Sequence, residues 1–210
     1  MNQEKTSLMI IAEFIWEMIK TALTVIIIVY LIKTFVFQLF IVDGQSMEPN
    51  FHNNQMLLVD KLTYHFRVPK RGEVIVFQKP NEPTQVNFIK RIIGLPHETI
   101  TIKDGHVIVT NSTNQEVILQ EDYLTANNIT NGNQEFTLGD NEVFVLGDNR
   151  TNSQDSRVIG PVNYNLIAGR ALFTYWPIKE AYWIFTPTYN LNIIFSSPLQ
   201  SELHSIVDNL

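Results

Sequence analysis

Two short segments carry side chains that could act together in hydrolysis. The first, Asp43–Pro49, places Ser46 where a glycine allows a tight turn and a proline prevents a regular strand. The second, Phe88–Pro96, places Lys90 in the middle of an apolar, strand-like run. A serine hydroxyl can act as a nucleophile when a neutral amine removes its proton. The pair therefore predicts serine–lysine catalysis, although a serine in such a loop is often only a turn residue.

The residues around Lys90 give a physical reason for a neutral amine. Alternation along a strand puts Phe88 and Ile92 on the same face as Lys90. If that face points inward, burial disfavours the ammonium form and lowers its pKa, so the amine can serve as a general base. Arg91 is expected on the opposite face, in water. The alternative is that Lys90 is an ordinary exposed residue of an edge strand.

A third segment, residues 147–157, is a polar loop with the sequence GDNRTNSQDSR between two predicted strands. Its hydroxyls and carboxylates could hold a lysine amine in place. The alternative is a solvated loop. The backbone N–H of Ser46 could in addition stabilise an oxyanion.

One apolar run precedes these segments and is long enough to cross a membrane, a crossing that needs about 20 residues. Residues 16–37 are predicted to form a transmembrane anchor, with Lys33 reaching back to the headgroups. The alternatives are a buried soluble helix and a cleaved signal peptide, but no small-x-small site follows the run. Residues 1–15 are expected to be a tail and residues 38–210 the catalytic domain.

The rest of the chain shows mostly strand-like patterns. Residues 99–103 and 106–110 alternate around Asp104-Gly105, which predicts a two-residue hairpin. Further short strands are predicted at 73–77, 142–146 and 169–176. The predicted fold is mainly β: an antiparallel sheet domain, with a smaller loop-rich β subdomain inserted at about residues 100–140. The aromatic patch 181–185 is expected to be a strand followed by a tail, and not a second span.

The composition excludes several classes of function. The formal net charge of −6 argues against a general nucleic-acid partner, and the local basic cluster Lys61, Arg67, Lys70 and Arg71 is expected to be solvated or to face lipid headgroups. The absence of cysteine excludes thiol catalysis and disulfides. The five histidines have no i, i+3 or i, i+4 pair, so no metal and no cofactor is expected.

Taken together, the segments resemble type I signal peptidases, the serine–lysine leader peptidases, over about residues 15–177. The resemblance is carried by SMEP at 46–49, RGEVIVF at 71–77, KRIIGLP at 90–96 and GDNRTNSQDSR at 147–157, in the family's order. It implies that Ser46 is the nucleophile and Lys90 the general base. It further implies that Ser153 orients the amine and that Asp155 and Arg157 pair as structural supports.

Three positions depart from the family pattern. Many members carry threonine at the position of Asn50. Some carry a serine two residues before the nucleophile, whose hydroxyl completes the oxyanion hole. This chain has Gly44 there, as some relatives from Gram-positive bacteria do. Glycine has no side-chain donor, so the sequence does not identify the group that gives the oxyanion its second hydrogen bond. His97-Glu98 replaces a frequent Gly-Asp, which alters a turn.

The resemblance implies a membrane-bound endopeptidase that removes signal peptides from exported preproteins with small-x-small cleavage sites. It places the N-terminus in the cytoplasm and the catalytic domain outside, near the export translocon. The charges that flank the span lean slightly the other way. The alternatives are another serine–lysine processing peptidase and an inactive, membrane-tethered β-domain that binds exported chains. Histidine-based catalysis through His52 is disfavoured, since no motif places a carboxylate behind it.

Overall fold

The computed structural model describes residues 2–80, 82 and 86–189. Helix α1 spans Asn2–Leu31, and a single wide turn of π type over Ile32–Val36 continues it. The stretch Met9–Val36 is long and apolar enough to cross a membrane and has no buried residue. The helix thus begins well before residue 16 and includes most of the predicted N-terminal tail.

The remaining described elements are strands, two single-turn α-helices and two 3-10 turns, the latter over Tyr164–Leu166 and Ile178–Glu180. The strands are β1 Phe37–Ile41, β2 Met56–Asp60, β3 Val74–Gln78, β4 Asn87–Gly94, β5 Thr99–Lys103, β6 His106–Thr110, β7 Glu116–Ile118, β8 Gln134–Thr137, β9 Glu142–Leu146, β10 Val162–Asn163, β11 Ile167–Trp176 and β12 Tyr182–Trp183. The helices are α2 Thr63–Phe66 and α3 Ser156–Ile159.

Every strand pairing is antiparallel, and the strands form two sheets. The larger sheet has the order β1-β2-β11-β3-β4-β9-β10, with β12 paired to β11. The smaller sheet has the order β7-β6-β5-β8 and is inserted between β4 and β9. The predicted fold class, mainly β with one N-terminal apolar helix, is confirmed.

The local turn chemistry explains the hairpin of the smaller sheet. Thr99–Lys103 pairs with His106–Thr110, as the sequence predicts. Asp104 and Gly105 have φ values of 51° and 82°, and a two-residue turn with both φ values positive matches the twist of the flanking strands. The aromatic patch near residue 182 forms the short strand β12, and the rest of the predicted tail from residue 190 lies outside the described residues.

Alternation along the strands buries apolar side chains on both faces of the larger sheet, and the described residues form three apolar cores; the one made by residues such as Ile75, Ile92 and Val145 lies on the opposite face from the other two. One core contains Met47 and Phe51 from the segment that follows Ser46, together with residues of β2 and β3 such as Leu57 and Val76. Another joins the smaller sheet to β9 through residues such as Ile100 and Phe144. The segment that carries Ser46 is therefore packed against the larger sheet.

Candidate active site

The turn around Ser46 is fixed by its neighbours. Met47 and Phe51 are each 1% exposed and pack into the core below the turn. The Ser46 carbonyl accepts a hydrogen bond from the Asn149 N–H at 3.0 Å, which ties the turn to the polar loop. Among the described residues, no acceptor is assigned to the Ser46 N–H, so this donor is free to face a substrate.

Gly44 has a backbone conformation that side chains rarely adopt, with φ at +97°. Its N–H donates to Asn53 Oδ1 at 2.8 Å. A Cβ at this position would meet no atom within 4 Å. The space beside Ser46 is thus open, and no side-chain donor reaches into it from Gly44.

Lys90 lies on β4 with its amine against the Ser46 hydroxyl. Its Nζ is hydrogen-bonded to Ser46 Oγ at 2.7 Å and to the Ile89 carbonyl at 2.9 Å. Lys90 is 3% exposed, and its amine lies 5.1 Å from the centre of the Phe88 ring. Phe88 and Ile92 flank it on one face, as the alternation predicts.

Burial is the main influence on the amine. Desolvation lowers the pKa of Lys90 from 10.5 to about 8, while the charges of Asp155 and Asp148 act in the opposite direction. An amine with such a pKa is largely neutral in mildly basic solution. It can then accept the hydroxyl proton of Ser46, which lies within hydrogen-bonding distance.

A cavity of about 450 Å³ opens beside the two residues. Its walls are mainly apolar. They come from the segment 40–46, from strands β2, β3 and β4, and from the polar loop, and they include Phe40, Val42, Leu57, Val76, Ile89, Asn152 and Gln154. A larger cavity of about 730 Å³ is lined by residues of the 49–55 and 179–187 segments and includes neither Ser46 nor Lys90. The smaller cavity is therefore the candidate substrate site.

The polar loop is organised around Asp155, which is fully buried. Its carboxylate accepts hydrogen bonds from the Gly147 N–H at 3.0 Å and from the Arg157 guanidinium at 2.8 Å on both oxygens. Its Oδ1 also caps the first turn of α3 by accepting from the Arg157 N–H. The structure thus places Asp155 and Arg157 in one ion pair that closes the base of the loop.

Ser153 lies against Gly147, at the contact between the polar loop and the nucleophile turn. A Cβ on Gly147 would come within 2.2 Å of Ser153 Oγ and 2.4 Å of the Ser46 carbonyl oxygen, so only glycine fits there. Ser153 Oγ is buried and has no hydrogen-bond partner among the described residues. The structure brings this hydroxyl to the site without bonding it to the Lys90 amine.

The expectation that Arg91 stays in water is wrong. Arg91 is 4% exposed and makes a bidentate ion pair with Asp148, with N–O distances of 2.8 and 2.6 Å. Its guanidinium also stacks 4.2 Å from the centre of the Tyr123 ring. The 121–128 segment covers this face of β4, so both faces of the strand are buried.

Sequence reasoning also missed the residues that surround this pair. Asn50 donates to Asp148 Oδ2 at 2.9 Å and to the Tyr123 carbonyl at 3.1 Å, which joins the nucleophile segment to the inserted subdomain. Arg150 is 1% exposed and pairs with Glu121. The signal available in the sequence was weak: each of these residues stands in an Asn- or Thr-rich stretch typical of solvated loops.

The His97-Glu98 turn is also fixed by polar contacts. Glu98 accepts from the Leu95 N–H at 2.8 Å and pairs with Arg71 at 2.5 Å. These contacts hold the end of β4 and lie away from the amine. Among the described residues, no group of three or more histidine or acidic side chains is placed to hold a metal ion.

Comparison with known proteins places the chain in a family. The family described as "Signal peptidase, peptidase S26" matches residues 15–176. A signal peptidase I from Leptolyngbya laminosa is 36% identical over 170 residues, which cover 78% of this chain and 81% of that protein. Signal peptidase I P from Bacillus subtilis subsp. natto is 34% identical over 169 residues, which cover 78% of this chain and 90% of that protein.

A solved structure, that of a signal peptidase I from Enterococcus faecalis, is 29% identical, with a TM-score of 0.41. The match covers 50% of this chain and 97% of that one. On the sequence matches, the chain belongs to the signal peptidase family S26. It is a serine peptidase, a hydrolase of peptide bonds, as the resemblance implies.

Proposed function

We propose that this chain is a membrane-anchored endopeptidase that cleaves signal peptides from exported preproteins, with Ser46 as nucleophile and Lys90 as general base. The observation that carries the proposal is the 2.7 Å contact between Lys90 Nζ and Ser46 Oγ, made by an amine whose pKa burial lowers to about 8. A hydroxyl and an amine that is mainly neutral above about pH 8 form, at this distance, the acid–base pair that acyl transfer needs.

The reaction follows from these contacts. The Ser46 hydroxyl gives its proton to Lys90 Nζ while Oγ attacks the scissile carbonyl, and the Ser46 N–H donates to the oxyanion that forms. The Lys90 ammonium returns the proton to the leaving amine as the peptide bond breaks. Lys90 then takes a proton from water while the water oxygen attacks the acyl-enzyme ester. As the ester bond breaks, the Lys90 ammonium returns this proton to Ser46 Oγ, which releases the acid and restores both residues.

The strand pairing supports an extended substrate. β9 pairs with Arg91, Ile92 and Gly94 of β4, whereas the described pairings leave residues 87–90 unpaired on that side. A peptide could add there as a strand, with its side chains entering the apolar cavity beside Ser46. A cavity of about 450 Å³ shared by several side chains favours small residues at the first and third positions before the cut.

The N-terminal helix supports membrane anchoring. Met9–Val36 is predominantly apolar and has no buried residue, which suits contact with lipid. Within this stretch the charge of Lys20 is paired with Glu17, and near its C-terminal end Lys33 can reach the headgroups. We propose a single span in the cell membrane, with the N-terminus in the cytoplasm and the peptidase domain outside, close to the translocon that delivers its substrates.

The test is cleavage of a precursor with a small-x-small site by the full chain in detergent. Ser46→Ala and Lys90→Ala should each abolish cleavage, because one removes the nucleophile and the other the base. Ser112→Ala and Lys103→Ala, which change exposed residues of the inserted subdomain, are the matched controls and should leave cleavage unchanged. Cleavage at the normal rate by Ser46→Ala would contradict the proposed mechanism. Binding of the precursor without cleavage by the unaltered chain would indicate a binding module instead of an enzyme.

Orientation can be tested in the same chain because it has no cysteine. Thr113→Cys places a single thiol on the exposed surface of the inserted subdomain. A membrane-impermeant maleimide should label it in intact cells whose envelope admits the reagent to the membrane surface. Labelling only after the membrane is disrupted would place the peptidase domain in the cytoplasm.

A further inference from the structure

The basic cluster that follows β2 lies at the end of the apolar helix. The Lys61 N–H donates to the Val36 carbonyl at 2.9 Å, and Lys61 Nζ donates to the Thr34 carbonyl at 2.8 Å. Both acceptors belong to the last turn of the candidate span. The segment 61–70 is therefore held where the chain would leave a bilayer.

The charge of this segment is opposite to that of the whole chain. Residues 61–72 contain four basic and no acidic residues, whereas the chain carries a formal net charge of −6. Arg71 points inward and pairs with Glu98, while Lys70 is exposed. The exposed charge of Lys33, in the last turn of the span, adds to the same end of the molecule.

The nearest buried carboxylate does not neutralise the cluster. Glu73 is 2% exposed and pairs with both Arg67 and Arg170, so two guanidinium groups share one negative charge. The Asp60 carboxylate, which accepts from the N–H groups of Leu62 and Thr63, adds a second negative charge, but four cations face these two: Lys61, Arg67, Lys70 and Arg170. A net positive charge remains along this surface and complements an anionic partner.

A cavity and two exposed apolar side chains complete the surface. A cavity of about 710 Å³ has Lys61, His65 and Arg67 on one wall and the start of β11 on the other. Beside it, Phe66 is 83% exposed and Val68 is 66% exposed. Basic groups next to protruding apolar side chains suit the boundary between lipid headgroups and acyl chains.

We propose that residues 61–70 bind the phosphate headgroups of anionic phospholipids, with Phe66 and Val68 inserted among the lipids and Lys61, Arg67 and Lys70 around the phosphates. This inference rests on the membrane anchoring proposed above. It gives the peptidase domain a second attachment to the bilayer besides α1. Two attachments would fix the tilt of the domain more firmly than the helix alone.

The experiment uses the full chain in lipid nanodiscs of phosphatidylcholine alone or of phosphatidylcholine mixed with phosphatidylglycerol. Phe66→Cys supplies the only thiol, which carries a polarity-sensitive fluorophore. Ile118→Cys, on an exposed position of β7, is the matched control. We expect a blue shift at position 66 only in the discs with phosphatidylglycerol, and no difference between discs at position 118.

Charge variants and salt test the cause of the shift. Lys70→Gln should lower the equilibrium constant for attachment of residues 61–70 to the anionic surface about fivefold. The double variant Lys61→Gln with Lys70→Gln should lower it about thirtyfold, because one lysine contributes about 1 kcal/mol at such a surface. Lys103→Gln, which removes an exposed charge elsewhere, should change nothing. High salt should abolish the shift in the chain with unaltered lysines, which keeps the test valid if a lysine variant fails to fold.

The possible outcomes distinguish the lipid site from the membrane anchoring on which it rests. A chain that stays in both kinds of disc with no response to phosphatidylglycerol, or with equal responses at positions 66 and 118, overturns the lipid site and leaves the anchoring intact. A chain that stays in neither kind of disc overturns both. Cleavage of a precursor in detergent by the double lysine variant should equal that of the unaltered chain, since neither lysine lies at the catalytic pair.

Discussion

The Nζ atom of Lys90 lies 2.7 Å from the Oγ atom of Ser46, although 44 positions separate the two residues in the chain. Lys90 is placed by the pairing of β3 with β4, in which it stands opposite Ile75. Ser46 is placed by Met47 and Phe51, which anchor its turn in the core. The contact thus depends on packing that surrounds both residues, and its consequences can be measured.

The rate of cleavage should rise with pH through the pKa of Lys90. Because the base must be neutral, the rate of a single turnover should increase about tenfold per pH unit at low pH and reach half its maximum at about pH 8. The measurement is a pH–rate profile from about pH 6 to about pH 10. A rate that is flat over this range would show that the Lys90 amine does not act as the base.

The same amine should make stability depend on pH. Its folded pKa of about 8 lies below the ordinary value of 10.5, so the unfolded chain binds more protons between these values and stability rises with pH across that window. Relative to Lys90→Met, the free energy of unfolding of the unaltered chain should rise by roughly 3 kcal/mol from about pH 8 to about pH 10.5. Denaturant unfolding of both proteins measures this difference, and a constant difference would contradict a buried amine.

Gly44 offers a test of the second oxyanion donor. Because its φ is +97°, Gly44→Ala and Gly44→Ser should each lower the free energy of unfolding by about 1–2 kcal/mol. The open space at this position leaves room for a hydroxyl, so Gly44→Ser should turn over about tenfold faster than Gly44→Ala. Equal kcat values for the two variants would mean that position 44 does not reach the oxyanion.

Two serines of the polar loop, each with a buried hydroxyl oxygen, should respond differently to truncation. Ser153 Oγ has no partner among the described residues, so Ser153→Ala should leave stability almost unchanged but lower kcat by up to about a hundredfold if the hydroxyl orients the amine during turnover. Ser156 Oγ accepts the Val145 N–H at 2.9 Å, so Ser156→Ala should cost about 1–3 kcal/mol in the free energy of unfolding.

Unfolding curves and separate kcat and KM values distinguish the roles of the two serines. Ser153→Ala should affect kcat more than KM, while the folded fraction of Ser156→Ala should keep its kcat. An unchanged kcat in Ser153→Ala would remove Ser153 from the site.

The ion pair between Arg91 and Asp148 should contribute strongly to stability. Both side chains are buried, so Asp148→Asn leaves a buried guanidinium partly unpaired and should lower the free energy of unfolding by about 3–5 kcal/mol. Glu82→Gln breaks a more exposed pair with Lys79 and should cost less than about 1 kcal/mol. Similar losses in the two variants would argue that the Arg91 pair is not desolvated.

Asp148→Asn should also move the pH–rate profile. The charge of Asp148 raises the pKa of Lys90, so removing that charge should lower the pH at which cleavage is half-maximal. The shift can be measured at a temperature where the variant is still folded. A midpoint that moves upward would contradict this electrostatic coupling.

The sequence predicts features that short-range chemistry determines. The hairpin around Asp104-Gly105 follows from two residues that accept positive φ, and the face of Lys90 follows from simple alternation. The order of the segments and their resemblance to signal peptidases predicts the family, which the comparisons confirm. The roles of Ser153, Asp155 and Arg157 stay predictions, although the geometry groups these residues at the loop.

The burial of Arg91 could not be predicted because its cover comes from distant parts of the chain. Asp148 lies 57 positions away, and Tyr123 belongs to the inserted subdomain. Alternation separates the two faces of a strand, but it does not tell whether a second layer covers the polar one. The Asn-rich composition of residues 121–128 is that of a solvated loop, and it conceals a segment that packs over β4.

No residue intervenes between the turn that ends at Val36 and strand β1, which begins at Phe37. β1 is hydrogen-bonded to β2 along all five of its residues, a length of about 17 Å, so it cannot stretch or fold back. With α1 held in a bilayer, the fixed length of this strand would limit how far Ser46 can lie from the lipid. Preproteins would then be chosen by distance as well as by sequence: only a bond that reaches Ser46 while its own apolar segment stays in the membrane can be cut.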